Sequence, residues 1–188
     1  MFIMSLLKTP ICDFGTNAKD FKLNSTINKL ITLNDTKGET GTLIMFICNH
    51  CPYVKAVIKD VVEDCKNLEK FGVNAIAISS NDVVNYPEDS FENMIKFSKE
   101  HNFTFPYLFD ENQNVAKSYS AVCTPDFFGF NGNLELQYRG RFRELKDLKP
   151  VIVGESDLFK AMKQISKTGK GPKEQIPSLG CSIKWLGG

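Results

Sequence analysis

Arginine, histidine and tryptophan are scarce in this chain, at three, two and one copies, and no sign of charge predominates, with 23 Lys and Arg facing 22 Asp and Glu. Such a balance leaves no electrostatic footprint for nucleic acid or an anionic membrane surface. Long hydrophobic runs are also lacking, and none approaches the roughly 20 residues that span a bilayer. The start, Met1-Phe2-Ile3-Met4-Ser5-Leu6-Leu7, has no cationic residue before its apolar run. Lys8-Thr9-Pro10 is no small-residue cleavage site, so a secretory signal is not expected. Nor is there an internal repeat, a low-complexity tract or a Gly/Ser linker. The 188 residues therefore read as one cytoplasmic domain with its own core and no nucleic-acid or membrane partner.

Cysteine, by contrast, is plentiful, at positions 12, 48, 51, 65, 123 and 181. In a small secreted chain six cysteines would form a disulfide framework. Here the chain is long, 42% of it is apolar, and no export signal is visible. Reduced core residues, metal ligands or redox catalysts are the remaining choices, and spacing separates them.

The elements follow from periodicity. Phe21-Lys22-Leu23 and Leu30-Ile31-Thr32-Leu33 read as short strands of an N-terminal hairpin, and Asn34-Asp35-Thr36-Lys37-Gly38 carries turn chemistry. Thr42 to Ile47 is continuously apolar after its first residue, as in a strand buried on both faces. Val54, Val57, Ile58, Val61, Cys65 and Leu68 then recur at helical steps, and Gly72 is placed to end that helix. Ala75-Ile76-Ala77-Ile78 is the next buried strand. Ser90 caps a helix from about Phe91 to Glu100. Phe105 to Phe109 is a short strand and Asn114 to Tyr119 a short helix. Asp126 to Phe130 and Leu134 to Arg139 form a hairpin around Asn131-Gly132-Asn133. Ser156 caps a last amphipathic helix through Ile165, and the tail from Lys167 to Gly188 reads as irregular. The order implies an α/β fold with a central mixed β-sheet flanked by helices on both faces.

The chemistry sits in Cys48-Asn49-His50-Cys51-Pro52, where a buried strand meets a helix. Two thiols at this spacing can close a small disulfide. A helix N-terminus offers free N–H groups and partial positive charge, which favour thiolate over thiol. Cys48 is expected as the exposed nucleophile at the helix mouth, with Cys51 one turn inside as the resolving thiol. Pro52 is tolerated in a first turn. As an imidazolium, His50 would stabilise the Cys48 thiolate and make it a better leaving group. A closed zinc site would need four ligands, but the other cysteines are isolated in sequence and the second histidine is His101. The motif is read as redox, with no metal and no bound cofactor.

Val122-Cys123-Thr124-Pro125 precedes the late hairpin. Together with the Cys48–Pro52 motif it makes the chain resemble a thioredoxin-fold protein of the redoxin branch, which includes alkyl hydroperoxide reductase/thiol-specific antioxidant relatives and TlpA/ResA-like oxidoreductases. The resemblance covers about residues 21–165, and Asn81 to Asp110 resembles that branch's insertion. It implies a cis Thr124–Pro125 bond lying against the Cys48–Cys51 pair. It also implies that the neighbouring backbone docks an extended substrate segment. Peroxiredoxins carry Thr or Ser three residues before their reactive cysteine. Here that position is Cys48 or Met45. The Trp that usually precedes the first thioredoxin cysteine is Ile47.

Cys65 falls on a core-facing helix stripe. Cys123 is read as a core thiol at a strand start, or as an auxiliary thiol beside the proline loop. Cys12 and Cys181 are placed in irregular ends, as free surface thiols or as a resolving or docking pair. Arg139, Arg141 and Arg143, spaced by two, are expected on one solvated strand face, where they would also suit an acidic partner. The leading functional expectation is a thiol–disulfide oxidoreductase, returned to the dithiol by a thioredoxin- or glutathione-type donor. A thiol peroxidase acting on hydroperoxides, and a non-enzymatic redox sensor or metallochaperone, are the alternatives.

Overall fold

A computed structural model describes residues 5–187, so the apolar start at Met1–Met4 lies outside the described residues. In chain order the elements begin with β1 (Leu6–Lys8), β2 (Lys22–Ser25), β3 (Leu30–Thr32), α1 (Leu33–Thr36) and β4 (Gly41–Phe46). They continue with α2 (Pro52–Leu68), β5 (Val73–Ser79), α3 (Phe91–Glu100), β6 (Tyr107–Phe109) and α4 (Asn114–Ser118). Next come β7 (Cys123–Thr124), β8 (Asp126–Asn131), β9 (Leu136–Tyr138), β10 (Leu145–Lys146) and β11 (Lys149–Pro150), then α5 (Asp157–Thr168) and β12 (Leu179–Ser182).

The main sheet has seven strands in the order β3-β2-β6-β5-β4-β8-β9. The middle strands β4, β5 and β6 run parallel, while β8 lies antiparallel along the whole of β4. Every residue of β4 is buried, and its side chains alternate between two cores. Leu43 and Met45 face the side covered by α2 and α5, packing with Val57, Ile58, Leu158 and Met162. Ile44 and Phe46 face the other side with Leu33, Ala116, Phe128 and Ile183. The helices thus flank both faces. The α2 helix passes into a single 3-10 turn and ends at Gly72, whose φ of 76° is the left-handed stop its position implies. The caps at Ser90 and Ser156 are present, each accepting from the backbone N–H three residues on.

Several expectations are corrected. The N-terminal hairpin exists, but it turns at residues 26–29, and Asn34–Thr36 belongs to a one-turn helix. Thr32 caps that helix reciprocally with Asp35. The N-terminal stretch and the tail are not irregular throughout. β1 and β12 pair antiparallel, and β12 pairs in turn with β7, giving a separate three-stranded sheet. No periodic apolar run announces these strands, because both are short, β1 is exposed throughout and β12 is only partly buried. Gly180 allows the close crossing, since a Cβ there would collide with the Thr124 carbonyl.

The arginines do not share a solvated strand face, because β9 ends at Tyr138. Arg139 is buried against the fully buried Asp126. Arg141 pairs with Asp157 and Glu144, and Arg143 with Asp60.

Candidate active site

Three elements bring the sequence motifs together. β4 delivers Ile47 and Cys48 to the C-terminal edge of the sheet, α2 begins at Pro52, and β7 leads into a cis Thr124–Pro125 bond. The Cys48 sulfur lies 3.3 Å from the Thr124 hydroxyl, and the Cys51 sulfur 3.1 Å from the Thr124 carbonyl. Cys48 and Cys51 are also hydrogen-bonded to each other. The two halves of the motif, 76 residues apart in sequence, therefore form one cluster.

The expected positions of the two sulfurs at the helix end are corrected. Cys51, not Cys48, is the N-cap of α2, with Pro52 as its first residue. Cys51 donates its S–H toward the Thr124 carbonyl and the Cys181 sulfur, and the Cys181 and Cys48 sulfurs and the Val54 backbone N–H surround it. Together they hold its thiol well below the ordinary range despite burial. Cys48 lies just outside the helix. Burial, the negative charge gathered on Cys51 and the Asp89 carboxylate all push its thiol up. Nor is Cys48 exposed, at 1% of its surface. Of the two thiols, Cys51 is therefore the one whose surroundings favour loss of the proton.

His50 Nδ1 lies 4.0 Å from the Cys48 sulfur and 2.7 Å from Asp89 Oδ2. Asp89 has no periodicity or motif around it and was not visible in the sequence. It is fully buried just before α3, within the Asn81–Asp110 insertion. Its carboxylate accepts from the Asn49 and His50 backbone N–H groups, the Asn81 amide and the His50 ring. The Asp89 hydrogen bond raises His50 above the usual imidazole range, against the lowering effect of burial. A folded-state rise of this sign means that the stabilisation is complete below the unfolded imidazole value of ~6.5. It is lost as pH rises through the folded one. Asp89→Asn is expected to move the His50 ring-proton titration, followed by NMR, down toward ~6.5. An unchanged midpoint would remove Asp89 as its cause.

The remaining thiols divide clearly. Cys65 sits on the buried side of α2, and burial pushes its thiol up. Cys123 is buried in β7, 3.8 Å from the Pro125 carbonyl, and is likewise raised by burial. Cys12 is half-buried and packs against the opposite core near Arg139, its thiol pushed up to about 11 by burial. Cys181 was expected in an irregular end. Instead it is a buried β12 residue opposite Thr124, with its sulfur 3.2 Å from that of Cys51. The backbone edge at Thr124, implied as a docking strand for substrate, is therefore already paired with the chain's own β12.

Among the described residues, Cys48, His50 and Asp89 place three ligand atoms within 4.8 Å of one another. The fit to a metal is poor. Both Asp89 oxygens already accept N–H groups, and a cation would have to displace that network. What the cluster can do without one is lose and regain two electrons as a dithiol–disulfide couple.

Comparison with known proteins places these residues in a wider frame. The model of the AhpC/TSA family matches residues 14–142. An uncharacterized conserved protein from Geobacillus kaustophilus is 40% identical over 100% of both chains, with a TM-score of 0.93. The thioredoxin domain of a thiol–disulfide oxidoreductase from Bacteroides vulgatus superposes over 67% of this chain and 86% of its own, at 16% identity and a TM-score of 0.57. The peroxidoxin BcpB from Mycobacterium tuberculosis superposes over 68% and 83%, at 14% identity and a TM-score of 0.56. At such identities the last two show the thioredoxin fold alone. A search of curated proteins finds no match.

Proposed function

Because the chain belongs to the AhpC/TSA family, we propose that it is a thiol–disulfide oxidoreductase working through Cys48 and Cys51. The observation that carries this reading is the pair of thiols at the mouth of α2, both gathered on Thr124, at 3.3 and 3.1 Å, beside cis-Pro125. Both sulfurs are buried, and Cys48 is the one that borders the partly exposed His50.

The cycle begins when Cys48 passes its proton to the Cys51 thiolate. The Cys48 thiolate, facing the His50 imidazolium, attacks one sulfur of a disulfide substrate. A mixed disulfide forms, and the departing thiolate takes up the proton held by Cys51. The Cys51 thiolate then attacks the Cys48 sulfur, releasing the second substrate thiolate and closing the Cys48–Cys51 disulfide. Two electrons have passed from protein to substrate. A thioredoxin- or glutathione-type donor in the cytoplasm would restore the dithiol.

A second reading, thiol peroxidase, has one specific observation in its favour. The Thr124 hydroxyl, 3.3 Å from the Cys48 sulfur, could orient a hydroperoxide although positions 45 and 48 offer no hydroxyl. Two assays separate the readings. The reduced protein is expected to cleave insulin disulfides with turnover under a dithiol reductant. In stopped flow it is expected to meet hydrogen peroxide no faster than an ordinary thiol. A peroxide reaction orders of magnitude faster, with insulin left intact, would replace the first reading by the second.

A further inference from the structure

We propose that Cys181 is a third redox-active thiol, and that Cys51 exchanges disulfide partners between Cys48 and Cys181. The inference rests on the dithiol reading above and extends it to a residue outside the matched family segment of 14–142.

The geometry is specific. Cys51 stands between two sulfurs, hydrogen-bonded to Cys48 on one side and 3.2 Å from Cys181 on the other. A covalent S–S bond is about 2.05 Å, so roughly 1.1 Å of closure converts the second contact into a bond. β12 holds Cys181 in place from both edges, through Thr124 on β7 and Leu6 on β1. Beyond the strand, Asn81 accepts from the Lys184 backbone N–H, and Gln113 donates to the Lys184 carbonyl and accepts from the Leu186 N–H. Asn81 also donates to Asp89, so the segment that carries Cys181 is fastened to the carboxylate that orients His50.

The exchange is balanced within the chain. In the oxidised protein the Cys181 thiolate attacks the Cys51 sulfur. The Cys51–Cys181 bond forms as the Cys48–Cys51 bond breaks, and Cys48 leaves as a thiolate that takes up the proton Cys181 gave up. No external oxidant or reductant is consumed. In the dithiol form, hydrogen bonding to the charged Cys51 is the largest cause of a raised Cys181 thiol. Once Cys51 is in a disulfide that charge is gone, and the nearby Lys184 ammonium favours the attacking thiolate. The result is a free Cys48 with the oxidising equivalents stored one sulfur deeper.

Trypsin sorts the products. Cys48 and Cys51 fall in fragment 38–55, and Cys181 in fragment 174–184. The protein is equilibrated in a glutathione redox buffer, quenched with acid, alkylated and digested. Fragment 38–55 is expected in two oxidised forms, one closed on itself and one linked to fragment 174–184. The linked form should become the only one of the two in Cys48→Ser and in Cys48→Ala, and should vanish in Cys181→Ser. If the wild type gives the internal form while no linked form appears in it or in either Cys48 variant, the proposal is overturned and the dithiol reading stands. A linked form without an internal one would keep the proposal and overturn the Cys48–Cys51 pair. Absence of both would overturn both.

Discussion

Arg139→Ala is expected to melt roughly 10 °C below the parent protein. The guanidinium grips Asp126 with two nitrogens, Nε at 3.3 Å and Nη2 at 2.9 Å, and Nη2 also donates to the Ser120 carbonyl at 2.8 Å. It stacks 4.4 Å above the Phe128 ring. Asp126 is completely buried, and removing its partner strands a carboxylate in the core. Breaking such a pair from one side costs about 3–5 kcal/mol. In a domain of this size each kcal/mol lowers the melting temperature by ~2–4 °C.

The pH dependence carries a sign that tests the cause. Burial already raises Asp126 above the ordinary carboxylate value, although Arg139 opposes it. A raised carboxylate binds its proton more tightly when folded, so it favours the folded state more as pH falls toward its unfolded value. Without Arg139 the rise is larger. The melting deficit should therefore be greatest at neutral pH and narrow on acidification. Adding Asp126→Asn should recover part of it. A deficit that ignores both pH and Asp126→Asn would mean that lost packing on Phe128 dominates. The effect reaches the site as well, because Asp126 follows cis-Pro125 directly and begins the pairing of β8 with β4 at Phe46.

The second large effect concerns the sulfur that two others share. In Cys51→Ser, disulfide exchange is expected to fall at least roughly a thousandfold. An aligned intramolecular thiol is replaced by dilute thiols from solution, and effective molarities of such partners reach ~10⁵ M or more. If Cys48 is the attacking thiol, Cys51→Ser should accumulate a mixed disulfide at Cys48, visible as an added substrate mass in intact-protein mass spectrometry. If no adduct forms, Cys51 itself is the attacking group. The surroundings that lower the Cys51 thiol make that outcome chemically coherent, and the adduct decides between the two assignments.

Much of this arrangement was legible from local signals. The apolar run from Leu43 to Ile47 marked the central strand, Ser90 and Ser156 announced their helices, and Asn131-Gly132 placed the late hairpin. The Cys48–Cys51 spacing and Thr124-Pro125 marked the site. Other features depended on contacts between distant residues and left no local trace. Asp89 is one acidic residue among many until its carboxylate is seen to gather four N–H donors. Arg139 shares its spacing with Arg141 and Arg143, yet the chain leaves the strand at Tyr138, and period two has no meaning beyond it. Cys181 looked like a tail thiol because four-residue strands of mixed burial carry no period to read. The helix begins one turn later than the cysteine spacing suggests, and that turn decides which sulfur feels the helix field.

The tail has one further property. The protein has a single tryptophan, Trp185, and it stands four residues beyond Cys181 on the same segment. Its indole is half-buried against the second core, with the Lys117 ammonium 5.9 Å from the ring centre. Excitation at wavelengths where tyrosine does not absorb therefore lights one place only, on the segment that follows β12. The molecule carries its own fluorophore just beyond the strand that bears Cys181, so changes in that segment can be followed in real time with no label attached.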